Sequence, residues 1–196
     1  MIQSIKFDSS NMNIKKIINS ISIFIIKRLL EIAGFLISLI GVLLFLALIT
    51  YSPEDPNFIF PENTIIKNIL GFQGSYVADL FFQSIGFVSY LVPFTFIFTG
   101  MTIFRKKEFF LFIENIFYII PYSLFGSLFF SYFYKNTFSL YINGNGGFIG
   151  NYLNQTFLNK IIGFNETVIY YFLIFLIIGF FLISINFNYK NLYLII

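Results

Sequence analysis

The sequence contains no cysteine and no histidine, and only 11% of its 196 residues are charged. The first two absences exclude thiolate nucleophiles, disulfides, Cys/His zinc sites and histidine-based acid/base pairs. Typical soluble domains carry about a quarter charged residues. With 58% hydrophobic residues and a mean hydropathy of +0.84, this chain cannot surround a core with a polar shell. Its excess apolar surface therefore has to face lipid.

The apolar residues form four stretches that are each long enough to cross a bilayer. We predict spans at about residues 32–51, 80–104, 109–134 and 167–185. The first runs for 20 residues without a charge and covers about 30 Å as a helix, which is one hydrocarbon thickness. Pro93 and Pro121 stand within the second and third spans, and we expect Pro93 to kink its helix because the ring removes one backbone hydrogen bond. The sequence thus predicts an all-α, integral membrane four-helix bundle.

The N-terminal residues 1–30 are predicted to be a cytoplasmic tail. Isoleucines recur there at helical spacing, at positions 14, 17, 18, 21 and 25. Lys15 and Lys16 lie on the opposite side, a pattern typical of an amphipathic helix whose lysines lie near anionic headgroups. A disordered basic tail is the alternative, and the pattern does not decide between them. Residues 31–187 are the predicted membrane domain, and 188–196 the start of a cytoplasmic linker.

The loops between spans one and two and between spans three and four also show structure. Ile65, Ile66 and Ile69 indicate a short helical stretch before the second span. The loop 135–166 contains four closely spaced glycines, and we interpret that part as flexible. Its second half, residues 148–162, has apolar residues at i, i+4 spacing and predicts an interfacial helix. Whether this loop dips into the membrane is left open.

The distribution of Lys and Arg predicts the orientation. Nine of the 12 lie in the N-terminal tail, in the turn 105–107 and after the fourth span, whereas three lie in the other loops. Basic residues accumulate on the cytoplasmic side of membrane proteins. Both ends of the chain are therefore expected in the cytoplasm, with the glycine loop on the other side of a plasma (inner) membrane.

The search for a chemical site yields one weak candidate. Residues 144–150 (GNGGFIG) lack the Lys-Ser/Thr ending and the preceding strand of a phosphate-binding loop. No serine lies in a G-x-S-x-G turn, and no acidic cluster has metal-ligand spacing. We therefore predict no catalytic, cofactor or metal site. Glu114 is the only carboxylate within a span and hence an intramembrane candidate, although a glutamate whose head reaches the cytoplasmic interface is favoured.

Small residues on two spans indicate close helix packing. Gly34, Ser38 and Gly41 cluster on the first span, and serines recur at 123, 127 and 131 on the third. Small side chains let helix backbones approach each other in lipid. Packing within one bundle is favoured for the first span. For the third span, bundle packing and a homo-oligomer interface remain open.

Several short segments resemble the N-terminal membrane domain of FtsK/SpoIIIE-type DNA translocases. The first span ends on TYSPEDP, with Ser52, Pro53, Asp55 and Pro56, which is similar to the family's "SYSPxDP". The segment 68–93 is similar to its "N-x-x-G…G-x-x-x-A-D-x-L…G…Y-L-x-P" pattern. The matching residues there include Gly74, Ala78, Asp79 and Pro93. Residues 146–150 resemble its "GGxxG" stretch.

This resemblance implies a non-enzymatic membrane anchor and assembly domain of a bacterial division protein, located at the septum. It also implies contacts with other division proteins, and contact with DNA only through a C-terminal ATP-driven motor. The motor's Walker motifs are not found in these 196 residues. In the resemblance, the residues of the 52–56 segment serve mainly as a rigid turn. The alternative is a small transporter or channel subunit, which predicts polar groups converging in mid-membrane and an essential Glu114.

Overall fold

The computed structural model describes residues 2–56, 65–135, 143–156 and 158–187, with side chains from residue 15 onward. Within these ranges the chain is helical and contains no strand. The helices are α1 (Ile2–Ile49), α2 (Gly71–Ile85), α3 (Leu91–Lys106), α4 (Phe110–Phe133), α5 (Gly147–Asn154), α6 (Leu158–Phe164) and α7 (Glu166–Ser184), with a 3-10 turn over Gly86–Tyr90 between α2 and α3.

Four segments are long and apolar enough to cross a membrane, which confirms the predicted all-α membrane bundle. They are Lys15–Ile49, Gly71–Lys106, Phe110–Phe133 and Glu166–Ser184. The division of the chain into a tail, a membrane domain and a linker stays a prediction, and the linker 188–196 lies outside the described residues.

The N-terminal segment is helical, but it continues directly into the first span instead of forming a separate surface helix. The physical reason is that the sequence contains no proline or glycine before Gly34, so nothing interrupts the backbone hydrogen bonds. Residues Lys15–Ile49 alone number 35 and reach about 52 Å, well beyond one hydrocarbon thickness. The isoleucines and phenylalanine at 17, 18, 21 and 23–26 are all exposed.

The second membrane segment is interrupted at a different place from the one predicted. Gly71–Lys106 has 36 residues and would reach about 54 Å if straight, too long for one crossing. The 3-10 turn Gly86–Tyr90 divides it, and Gly86 has a φ of 69°, which favours glycine. Pro93 lies in the first turn of α3, where a backbone N–H has no acceptor within the same helix. Gly86, and not Pro93, therefore marks the break.

The α1–α3 interface shows the close packing that the small residues predict. A Cβ atom on Gly34 would lie 2.7 Å from the Gly100 carbonyl oxygen, and one on Gly41 would lie 2.9 Å from that of Pro93. Ser38 Oγ donates to the Ile97 carbonyl oxygen at 3.1 Å. The small residues of the first span thus serve packing within the bundle, as favoured from the sequence.

The three serines of α4 also face the interior. Ser127 Oγ donates to the Ile85 carbonyl oxygen at 2.9 Å, and Ser131 Oγ donates to Asn151 Oδ1 at 3.0 Å. Ser123 is 6% exposed. This serine stripe therefore packs within one chain, against the end of α2 and against α5.

The flexible-loop interpretation of the glycine segment is wrong. A Cβ atom on Gly146 would lie 2.6 Å from Ser131 Cβ, one on Gly147 would lie 2.6 Å from the Gly86 nitrogen, and one on Gly150 would overlap with the Ser127 carbonyl oxygen. These glycines bring α5 into backbone contact with α4 and with the 3-10 turn. The predicted interfacial helix 148–162 consists of two short helices, α5 and α6, and residue 157 lies outside the described residues.

Candidate functional site

The residues that carry the family resemblance meet where α1 ends and α2 begins. We call the group of Tyr51, Asp55, Asn68 and Asp79 the exit cluster. It joins the segment after α1 to the segment before α2, although residues 57–64 between them lie outside the described ranges. Three of its four side chains, those of Asp55, Asn68 and Asp79, are buried.

Asp55 fixes the chain on both sides of residues 57–64. It is 2% exposed, and its two carboxylate oxygens accept hydrogen bonds from the backbone nitrogens of Lys67 and Asn68, each at 2.9 Å. The Asp55 nitrogen donates to the Ser52 carbonyl oxygen at 3.1 Å, which closes a turn with Pro53 at its second position. Proline is favoured there because its φ angle is already set. Residues 52–55 therefore form a turn, and its rigidity stays a prediction.

These bonds also explain why no helix forms around Ile65, Ile66 and Ile69, contrary to the prediction. The backbone nitrogens of Lys67 and Asn68 bond to the Asp55 side chain instead of to helix carbonyls. Asn68 Oδ1 then accepts from the Leu70 nitrogen at 3.1 Å, two residues further on, as in an Asx turn. The helix α2 consequently starts only at Gly71.

Asn68 connects this turn to α1. Its Nδ2 donates to the Ala47 carbonyl oxygen at 2.9 Å, in the last turn of α1 where carbonyl groups lack helical partners. Gly74 makes room for this side chain, because a Cβ there would overlap with Asn68 Oδ1 and lie 2.5 Å from Leu70 Cβ. Asn68 is the first residue of the segment that resembles the family pattern, but it is not among the predicted site residues.

Asp79 ties α2 to the end of α1. Tyr51 Oη donates to Asp79 Oδ1 at 2.9 Å, and Gln83 Nε2 lies 3.4 Å from the same oxygen. The Tyr51 and Phe82 rings are 4.8 Å apart between centroids. Ala78, next to Asp79, is fully buried. The α2 face with Asp79 therefore packs against the segment in which α1 ends.

The edge of the exit cluster is exposed and charged. Lys67 Nζ forms an ion pair with Glu54, and each of these two groups stabilises the charged form of the other. The Lys67 ammonium therefore holds the pKa of the Glu54 carboxyl below its usual value. Ser75 Oγ donates to the Pro56 carbonyl oxygen at 3.1 Å, which adds a second link between the turn and α2.

Two predicted site residues lie apart from this cluster. Pro93 packs near Gly41 at the α1–α3 interface. Glu114 is exposed on α4, and its neighbour Asn115 is the buried one, with Nδ2 donating to Thr99 Oγ1 at 2.8 Å. The structure brings Asp55 and Asp79 to one end of the bundle and leaves Glu114 outside every group of buried polar residues that it describes.

A second polar group in the bundle interior was missed from the sequence. Thr95 Oγ1 lies 3.1 Å from Tyr122 Oη and 2.9 Å from Ser184 Oγ, which joins α3, α4 and α7. Such hydrogen bonds between helices hold membrane bundles together. Threonine, tyrosine and serine are common in apolar spans, so their presence does not indicate a polar group. Their meeting depends on which side of each helix faces the bundle interior. The transporter hypothesis remains a prediction, and its polar groups would be these residues rather than Glu114.

The side chains of the exit cluster form hydrogen bonds within the chain. Among the described residues, no group of three or more His, Cys, Asp or Glu side chains lies close enough to hold a metal ion. Carboxylate oxygens of Asp55 and Asp79 accept hydrogen bonds from groups of the same chain. The cluster therefore fixes the arrangement of the loops and of α2 at one end of the bundle.

Comparison with known proteins supports the resemblance. A family model described as the 4TM region of DNA translocase FtsK/SpoIIIE matches residues 26–192. The chain is 35% identical over 71 residues to DNA translocase FtsK of Azospirillum brasilense, an alignment covering 35% of this chain and 11% of that protein. It is 32% identical over 82 residues to DNA translocase FtsK of Pseudomonas putida, covering 41% of this chain and 10% of that protein. The matched segments thus span about a tenth of these relatives, and no solved structure is significantly similar.

Proposed function

Since the chain belongs to the family of FtsK/SpoIIIE 4TM regions, we propose that it is the membrane anchor and assembly domain of a bacterial cell-division DNA translocase. Its role in this proposal is to hold the translocase at the division septum during chromosome segregation. The observation that carries the proposal is the family match over residues 26–192. The exit cluster supports it, because Asp55 and Asp79, two residues of the resemblance, are the ones that order the outer end of the bundle.

The geometry suits an anchor. Hydrogen bonds link α3, α4 and α7 inside the bundle, and glycines bring α5 into backbone contact with α4. The outer end is therefore a fixed surface that other septal proteins can bind. In this proposal, the tail after α7 leads to the motor, and ATP hydrolysis and DNA contact belong to the motor and not to these residues.

The proposed orientation places both ends in the cytoplasm and the exit cluster outside, and it can be tested with reporters. A reporter that works only in the cytoplasm should be active at the N-terminus and in the 105–107 turn. A reporter that works only outside should be active when inserted at Gly144, where a Cβ atom would meet nothing within 4 Å. Activity of the cytoplasmic reporter at Gly144 would contradict the orientation.

The septal role is tested by imaging a fluorescent fusion of the chain in dividing bacteria. We expect enrichment at the septum, and we expect Asp55→Ala to abolish it while the protein stays in the membrane, because the outer surface loses its order. Glu54→Ala is the matched control, since this neighbouring carboxylate is exposed and forms an ion pair with Lys67 at the edge of the cluster. A uniform membrane signal for the unmodified fusion would overturn the proposal.

A further inference from the structure

The end of the bundle opposite the exit cluster carries cations from two distant parts of the sequence. We call them the inner basic cluster: Lys27 and Arg28 on α1, and Arg105, Lys106 and Lys107 at the end of α3. Glu31 joins the two parts. Its carboxylate lies 2.5 Å from Arg28 Nη1 and 2.8 Å from Lys107 Nζ.

Close packing holds these two parts at a fixed separation. Gly34, one turn after Glu31, is in backbone contact with α3, since a Cβ there would lie 2.7 Å from both the Gly100 oxygen and the Phe104 nitrogen. Phe104 directly precedes the basic residues of α3. The convergence of the cations therefore follows from the fold. The positive-inside rule requires only that cations be on this side, not that they meet.

The cluster has a surplus of positive charge. Glu31 is shared between Arg28 and Lys107, so one carboxylate faces two cations. Lys27, Arg105 and Lys106 are exposed and form no ion pair in the part of the chain that the structure describes. The exposed Glu108 is the other acidic side chain of this turn.

Exposed apolar side chains border the cluster on its membrane side. Leu29 and Ile32 on α1 are 60% and 57% exposed, and Phe104 and Phe110 are 50% and 73% exposed. An anion held by the cations would thus lie directly above an apolar surface. A phospholipid has this combination of a negative headgroup and acyl chains, and a free phosphate ion does not.

We propose that the inner basic cluster binds the phosphate of an anionic phospholipid, whose acyl chains lie along the adjacent apolar residues of α1 and α3. Lys27, Arg105 and Lys106 are the cations available to the phosphate, and Glu31 keeps Arg28 and Lys107 beside them. This inference concerns the lipid environment of the chain and does not depend on the septal role. Its failure would leave the proposed anchor function intact.

The test is lipid retention by the purified full chain. The protein is extracted from vesicles of equal phosphatidylglycerol and phosphatidylcholine, and the bound lipids are counted by native mass spectrometry. We expect phosphatidylglycerol to be enriched. The double variant Arg105→Gln/Lys106→Gln should lower this enrichment more than tenfold, because each cation near an anionic surface contributes about fivefold in binding. Lys27→Gln, a single exposed change on another helix, should lower it about fivefold.

The control is Lys15→Gln/Lys16→Gln, which removes the same charge from α1 three turns away from the cluster. It should leave the retained phosphatidylglycerol unchanged, and an equal loss in this control would reduce the effect to general attraction and overturn the proposal. Equal retention by the parent chain and both cluster variants would also overturn it. A large excess of inorganic phosphate should not displace the lipid; complete displacement would assign the site to free phosphate instead.

Discussion

Replacing Asp55 with alanine is expected to give a large loss of stability at the end of the bundle that carries the exit cluster. The variant leaves the buried backbone nitrogen of Asn68 and the partly buried backbone nitrogen of Lys67 without their acceptor. Each buried donor left unpaired costs about 1–3 kcal/mol. The Asn68 nitrogen alone should therefore cost about 1–3 kcal/mol in the free energy of unfolding, and the partly buried Lys67 nitrogen adds less. The loss is measured by thermal unfolding in detergent or bilayer discs.

Two matched variants define this result. Asp55→Asn keeps an oxygen acceptor but places an amide donor where the second acceptor lay, so its loss should be smaller than that of Asp55→Ala but still measurable. Glu54→Ala changes the adjacent exposed carboxylate and should leave the unfolding temperature nearly unchanged, because exposed ion pairs contribute little. If Asp55→Ala unfolds at the same temperature as Glu54→Ala, the exit cluster does not order this end of the bundle.

Replacing Gly86 with alanine is expected to disrupt the junction between the second span and α5. Gly86 has a φ of 69°, and an added Cβ would overlap with the Asn145 carbonyl oxygen, which accepts a hydrogen bond from the Phe87 nitrogen at 3.0 Å. The obstacle is backbone and cannot rotate away. We expect a loss of about 2–5 kcal/mol, combining the cost of the positive φ angle for an L residue with the cost of displacing packed backbone.

The variant Gly144→Ala separates the cost of the positive φ angle from the cost of displacing packed backbone. Gly144 has nearly the same φ, 67°, but a Cβ there would meet nothing within 4 Å. Its substitution should cost only about 1–2 kcal/mol for the left-handed conformation. Protease cleavage within residues 143–156 should increase strongly in Gly86→Ala and slightly in Gly144→Ala. Equal losses in the two variants would contradict the backbone contact between the 3-10 turn and the glycine segment.

The sequence predicted the number and approximate position of the spans because length and the absence of charge suffice for that. It misplaced the interruption of the second span. Proline at 93 and glycine at 86 are both helix breakers by propensity, and their effect depends on position within the helix turn, which composition does not reveal. The helix predicted around residue 66 does not form, because the backbone nitrogen of Lys67 donates its hydrogen bond to the carboxylate of Asp55, twelve residues earlier in the chain.

The structure of the glycine segment, residues 144–150, also could not be predicted from composition. Glycine permits both a mobile loop and the close approach of two backbones, and one sequence cannot separate these uses. The resemblance named Asp55 and Asp79, and the structure places both in the exit cluster. It could not reveal that Asn68, or the hydroxyls of Thr95 and Ser184, hold elements together, because these contacts join residues 21 and 89 positions apart.

The uninterrupted α1 makes the chain mechanically continuous from one side of the bilayer to the other. A helix without a hinge resists bending, so a rotation or pull applied near Lys15 is carried along about 52 Å of backbone. At the far end of α1, the Asn68 side chain donates a hydrogen bond to the Ala47 carbonyl oxygen. The Asp55 carboxylate in turn accepts one from the Asn68 backbone nitrogen. A displacement of the N-terminal extension along the helix axis would therefore act on the start of α2 through these hydrogen bonds.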